Sequence, residues 1–196
     1  MKYPEYIQEL IDSFSRFPSV GPKTAERYVF HLLNQDPAQL KILAAKLAVL
    51  PEKIRRCRQC RAFSASDPCP ICGDEKRSPE TICIVENSQD LAVIENTKQF
   101  SGRYFVIDRL LNTLENIGPE ELPIKELKEL IKNNRVQELI IGLNFTLEGE
   151  STSLYLKKIF PDLKISRLAR GLPAGSDLEY ADELTLANAL KYRNVL

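Results

Sequence analysis

The 196-residue sequence holds a single histidine, carries no net charge, and contains no apolar run near the ~18 residues needed to cross a bilayer. With only His31, mid-helix beside Leu32 and Leu33, triads and imidazole metal sites find little support, and that residue reads as structural or surface. No stretch at the N-terminus joins a charged region to an apolar one, so a cytoplasmic location without membrane contact is expected. The five cysteines are an odd number, which argues against a secreted disulfide framework. An apolar share of 43% excludes disordered and fibrous classes.

What is present is unevenly distributed. The 27 basic and 27 acidic side chains cancel overall, yet residues 1–78 hold 13 basic and 9 acidic groups, leaving a basic front and an acidic back. Ile7, Leu10, Ile11 and Phe14 recur at helical spacing, as do Tyr28, Val29, Leu32 and Leu33 after a break at Phe17–Pro22. A third helical stretch is predicted from about Pro37 to Leu50. Beyond a polar joint at Gly73–Pro79 the pattern changes to short β-branched or aromatic runs, Thr81–Val85, Tyr104–Ile107 and Leu139–Leu143. Helical patterns at Ser88–Glu95, Ile124–Asn133 and Ser151–Phe160 separate or follow them. That alternation predicts a parallel sheet, whose carboxyl edge would present Glu86, Asp108 and Asn144.

Three motifs carry chemistry. Cys57-x2-Cys60 and Cys69-x2-Cys72 place four thiolates within reach of one ion. They predict a structural Zn2+ with no open coordination position, offset by Arg55, Arg56, Arg58 and Arg61; two redox-active pairs are the alternative. Cys83 reads as a buried hydrophobe. Phe17-Pro-Ser-Val-Gly21-Pro22-Lys23-Thr-Ala-Glu-Arg27 reads as a turn entering a helix whose first amides lie beside two cations at i and i+4, an arrangement suited to phosphate. It resembles the helix-hairpin-helix of DNA-binding proteins, with an ordinary helical hairpin as the alternative. Ile84-Val85-Glu86 with Gly142-Leu-Asn144-Phe-Thr146-Leu-Glu148-Gly-Glu150 resembles the Toprim fold of topoisomerases and primases. Active members hold Mg2+ with a glutamate and an Asp-x-Asp pair, whereas Asn144-x-Thr146 stands here. Gly171-Leu-Pro-Ala-Gly175 lacks the Lys-Ser/Thr of a phosphate loop and reads as a turn.

The order of these parts, with Phe100–Val106, Ile117-Gly-Pro119 and the run from Ser166, resembles the RecR family of bacterial recombination mediators from end to end. The resemblance implies an α+β and α/β multi-module chain: a helix-hairpin-helix over 1–52, a zinc finger over 53–78, a Toprim domain over 79–175 and a C-terminal oligomerisation segment over 176–196. It further implies DNA repair with RecO and RecF, a ring-shaped homotetramer, and no enzymatic activity. Lys23 and Arg27, with Gly21 in the turn, match the DNA-contacting positions; Cys57, Cys60, Cys69 and Cys72 match the zinc ligands. Contact with RecO falls near Glu148 and Glu150, and Glu86, Asn144 and Thr146 form a degenerate Toprim site. A Mg2+-dependent nuclease or primase using Glu86 with Glu148 or Glu150 stays open, as does a zinc-bound interaction module without DNA contact. Three kinds of departure stand out: Ser19 and Asn116 replace usual glycines, Thr113 and Phe145 replace usual prolines, and the loop Ile107–Asn116 lacks its usual Gly, Ser and Pro.

Overall fold

The computed structural model describes residues 3–193, so residues 194–196 of the expected C-terminal segment and the first two of the front module lie outside the described residues. The chain divides between Lys53 and Ile54 into two compact units. In the first, α1 (Glu5–Phe14) packs on α2 (Pro22–Leu33) through buried Ile11, Ala25 and Val29, ringed by Ile7, Leu10, Phe14 and Val20. Pro22 occupies the first turn of α2, where its missing N–H costs no hydrogen bond. Next, α3 (Pro37–Lys53) begins at Asp36, whose carboxylate accepts the Ala38 N–H at 3.0 Å. Every residue of α3 remains at least partly exposed, including Ile42, Leu43, Leu47 and Leu50.

In the second unit, β1 (Arg55–Arg56) and β2 (Phe63–Ser64) form a two-stranded antiparallel ribbon. A four-stranded parallel sheet follows, β3 (Thr81–Val85), β4 (Arg103–Val106), β5 (Glu138–Gly142) and β6 (Lys164–Arg167), in the order β4-β3-β5-β6. Between the strands run α4 (Ser88–Asn96), α5 (Ile124–Asn134) and α6 (Leu147–Ile159), and the chain continues into α7 (Glu183–Lys191). The predicted strands and helices are therefore present, with two corrections. The sequence pattern does not announce β6, and α6 begins four residues earlier than predicted because the Thr146 hydroxyl accepts the Gly149 N–H at 3.1 Å and caps it.

The alternation of β3 explains how the second unit is layered. Ile82 and Ile84 face a core with Phe105, Leu127, Leu139 and Leu156; Cys83 and Val85 face a second core with Tyr104, Val106, Leu91 and all four clustered cysteines. The cysteine module thus covers one face of the sheet alongside α4, and fully burying each aliphatic side chain contributes about 1.5–3 kcal/mol. The polar stretch before β3 is pinned as well: Arg77 pairs with Glu95 and donates to the Gly102 carbonyl at 3.0 Å, and the Ser78 N–H donates to Ser101 O at 2.9 Å.

Candidate functional site

The four cysteines converge. Their sulfurs all lie within 4.8 Å of one another, and all four residues are buried. Tetrahedral zinc with bonds near 2.3 Å sets sulfurs roughly 3.8 Å apart, and Cys60 Sγ lies 3.6 Å from Cys69 Sγ. Backbone amides support the cage: Cys69 N–H faces Cys57 Sγ and Cys72 N–H faces Cys69 Sγ, each at 3.4 Å. Each pair closes a tight knuckle, Arg61 N–H on Cys57 O and Gly73 N–H on Cys69 O, both at 2.9 Å. Hydrogen bonds from Cys60 and Cys72 hold the Cys69 thiol at about 2, whereas contact with Cys69 pushes Cys60 up to about 12, and contact with Cys60 and Cys69 pushes Cys72 up. Ligation requires thiolates, so binding of a cation here would release the protons that these contacts retain. A buried four-sulfur donor set without oxygen ligands suits zinc. Cys83 is also buried, which pushes its thiol up to about 12 and makes it inert.

The arginines do not serve as a counter-charge for the thiolates in the way the sequence suggests. Arg56 Nη1 lies 2.6 Å from Asp108 Oδ1, Arg61 Nη2 lies 2.8 Å from Asp108 Oδ2, and Arg58 Nε lies 2.7 Å from Asp67 Oδ2. Three of the four cations pair with carboxylates, Arg58 through a side chain that stays largely exposed. The partners stand about fifty residues apart in the chain for Asp108, so spacing could not reveal them. Asp108 itself has φ 67° and sits one residue past the buried Ile107.

At the hairpin, Ser19 adopts φ 61°, the left-handed region that glycine occupies without penalty. Gly21 then forms the N-cap of α2, with no side chain closing the cap, and a Cβ built on it would meet no atom within 4 Å. The first turn of α2 is therefore open beside Lys23 and Arg27, both exposed. Lys23 Nζ lies 3.3 Å from Glu26 Oε2, while the Tyr3 hydroxyl donates to Glu26 Oε1 at 2.7 Å. The Tyr3 and Lys23 hydrogen bonds hold the Glu26 carboxyl below the usual carboxylate range.

At the carboxyl ends of the strands, Glu86, Asp108, Thr146 and Glu148 line a cleft of about 610 Å³ with Arg109, Leu110 and Asn112. Burial, then the nearby charges of Asp90 and Glu148, raise the Glu86 carboxyl above its ordinary value, against a lowering hydrogen bond from Asn144. Glu150 does not line that cleft. It pairs with Arg167 and, at 2.6 Å, with Arg170, and these hydrogen bonds lower its carboxyl below the usual range. Gly149 cannot carry a side chain, because a Cβ there would collide with the Asn144 carbonyl oxygen. Phe145 lies half exposed, with the guanidinium carbons of Arg167 and Arg170 4.2 and 4.3 Å from its ring centre. The loop after β4 closes as a small hairpin: Asn112 and Ile117 exchange backbone hydrogen bonds of 3.1 and 2.8 Å, and Asn116 takes φ 56°. Gly171–Gly175 is a turn, with Ser176 N–H on Pro173 O at 3.1 Å. Among the described residues, no helix is long and apolar enough to cross a membrane.

Comparison with known proteins matches each of these parts. Profiles described as RecR helix-hairpin-helix, RecR four-cysteine zinc finger domain, Toprim domain and RecR C-terminal match residues 7–50, 54–74, 80–169 and 171–194. Similar chains include proteins named Recombination protein RecR from Moorella thermoacetica (43% identical, all of both chains covered) and Acidothermus cellulolyticus (42%, 99% of this chain and 98% of the other). Another is that of Gloeobacter violaceus, 45% identical over 97% of this chain and 98% of the other. Identity of this order along the whole chain, with the four thiolates falling in the zinc-finger profile, places the protein in the RecR family of recombination proteins.

Proposed function

We propose that the protein is a non-catalytic DNA-binding mediator of recombinational repair. It acts with RecO and RecF as a ring-shaped, tetrameric clamp that helps load recombinase onto single-stranded DNA beside duplex. The observation that carries the reading is the open first turn of α2. Gly21 leaves the helix amides uncovered, and Lys23 and Arg27 stand exposed one turn apart, a phosphate grip that reads no sequence. One such grip is weak; several facing one channel would add their counterion release. The two units divide between Lys53 and Ile54; we assign residues 1–52 to the hairpin module, 53–78 to the zinc module, 79–175 to the Toprim domain and 176–196 to assembly.

A non-catalytic role is supported by what occupies the Toprim edge. Thr146 caps α6, Asp108 is bound by two arginines, and Glu150 is bound by two more. Glu86, Glu115 and Glu148 are the carboxylates left lining the cleft, but of the usual glutamate and Asp-x-Asp only Glu86 stands in its motif position, with Asn144 and Thr146 in place of the aspartates. We assign this acidic edge, around Glu148 and Glu150, to protein partners.

Native mass measurement with and without DNA tests the clamp. Tetramers, alone or assembled on DNA, are expected; a strict monomer under both conditions would contradict encirclement.

A further inference from the structure

The β1–β2 ribbon carries a feature that packing of the cysteine module does not use. Ala62, just before β2, is buried, whereas Phe63 turns outward, where it is 59% exposed. Its cross-strand partner is Arg56, whose guanidinium carbon stands 4.5 Å over the Phe63 ring centre. Arg56 is not free to leave that position. Its Nη1 lies 2.6 and 2.8 Å from the two Asp108 oxygens and 3.0 Å from the Arg61 carbonyl. The Phe63 N–H in turn donates to Ser88 Oγ at 3.0 Å, which fixes the outer strand to the start of α4. An exposed aromatic ring is thus backed by a planar cation that is itself clamped. Exposed Arg55 precedes Arg56, and the Arg58 side chain, 79% exposed, follows it.

A flat ring stiffened from one side, flanked by cations, fits an unpaired nucleobase with its adjoining phosphates. A base within duplex is already stacked on its neighbours and cannot use it. We infer that the outer face of the ribbon binds single-stranded DNA by stacking one base on Phe63, with neighbouring phosphates on Arg55 and Arg58. This deepens the proposed DNA-binding function and rests on it, while depending on residues other than those of the hairpin. It also separates two tasks: the hairpin grips backbone of either kind, and the ribbon registers that a strand is unpaired.

Fluorescence anisotropy with the full chain, zinc content checked for every variant, tests the inference on oligo(dT), a fully abasic strand of equal length, and duplex. Phe63→Ala and Phe63→Leu should each weaken oligo(dT) binding at least about five-fold, the lower end of what one stacked base contributes. Both should leave the abasic strand, the duplex and the salt slope as in the unaltered chain, since no phosphate contact is removed. Phe63→Trp should retain oligo(dT) binding. Unchanged oligo(dT) affinity in Phe63→Leu, or an equal loss on the abasic strand, would overturn the stacking site. Failure of the unaltered chain to bind any of the three would overturn the proposed function, and the stacking site with it.

Discussion

Val106 donates its backbone N–H to the carbonyl oxygen of Cys60 at 2.8 Å, so a zinc knuckle is hydrogen-bonded directly to the edge strand of the parallel sheet. The cysteine module therefore does more than join a hairpin to a Toprim domain. It covers β4 at the end of the strand order, occupying an edge that would otherwise expose unpaired backbone groups. It also fills one sheet face with its four buried sulfurs.

Metal removal should consequently be felt inside the sheet. Zinc binding in short modules is worth ~10–16 kcal/mol. Chelation, or Cys60→Ser, is expected to lower the thermal midpoint of the unit beyond Ile54 and to speed hydrogen exchange at the Val106 amide. Exchange at Val106 unchanged by chelation would show that the two are not coupled.

Asp108 holds both Arg56 and Arg61 while only 22% of its side chain is exposed. Asp108→Ala removes the carboxylate that two partly covered cations share and is expected to cost about 1–3 kcal/mol in denaturant unfolding. Arg56→Ala should cost only part of that, because Asp108 keeps its pair with Arg61 at 2.8 Å.

Ser19 and Asn116 both hold positive φ, 61° and 56°, the left-handed region that glycine occupies without penalty. Ser19→Gly removes the Cβ from a left-handed turn and is expected to stabilise the first unit by about 0.5–1 kcal/mol, measured by thermal melting. Asn116→Gly should gain less, since asparagine tolerates that conformation.

For Glu86, burial and neighbouring carboxylates raise the folded-state value, so the ionised form is disfavoured by folding. Its penalty is absent at acid pH, where the group is protonated in both states. It develops as pH rises through the ordinary carboxylate range and persists above the raised folded value. Glu86→Gln is therefore expected to be more stable than the unaltered chain at pH 7, with the difference shrinking toward pH 3. A difference that grows as pH falls would contradict this environment.

Much of this organisation is legible in the sequence because local signals and tertiary needs agree. The Cys-x2-Cys pairs, Pro22 at a helix start and the β-branched run Thr81–Val85 all appear as read. β6 is hidden because Lys164-Ile-Ser-Arg167 is a half-exposed edge strand with charges at both ends and no buried run. The start of α6 is hidden because Leu147-Glu-Gly149 looks like loop, and Gly149 is required by the passing Asn144 carbonyl rather than by a turn. Neither the Asp108 bridge nor the Phe145–arginine contacts leave a local trace, since the partners are far apart in the chain and meet only in the fold. The zero net charge is likewise uninformative until divided: the basic excess lies with the hairpin and cysteine modules, the acidic excess beyond them.

The most direct test of the central claim is DNA affinity measured across salt concentration for the unaltered chain and for Lys23→Ala with Arg27→Ala. Loss of phosphate contacts predicts weaker binding to single strand and duplex alike and a shallower dependence of log affinity on log salt. Affinity and slope equal to those of the unaltered chain would contradict a clamp held through the hairpin.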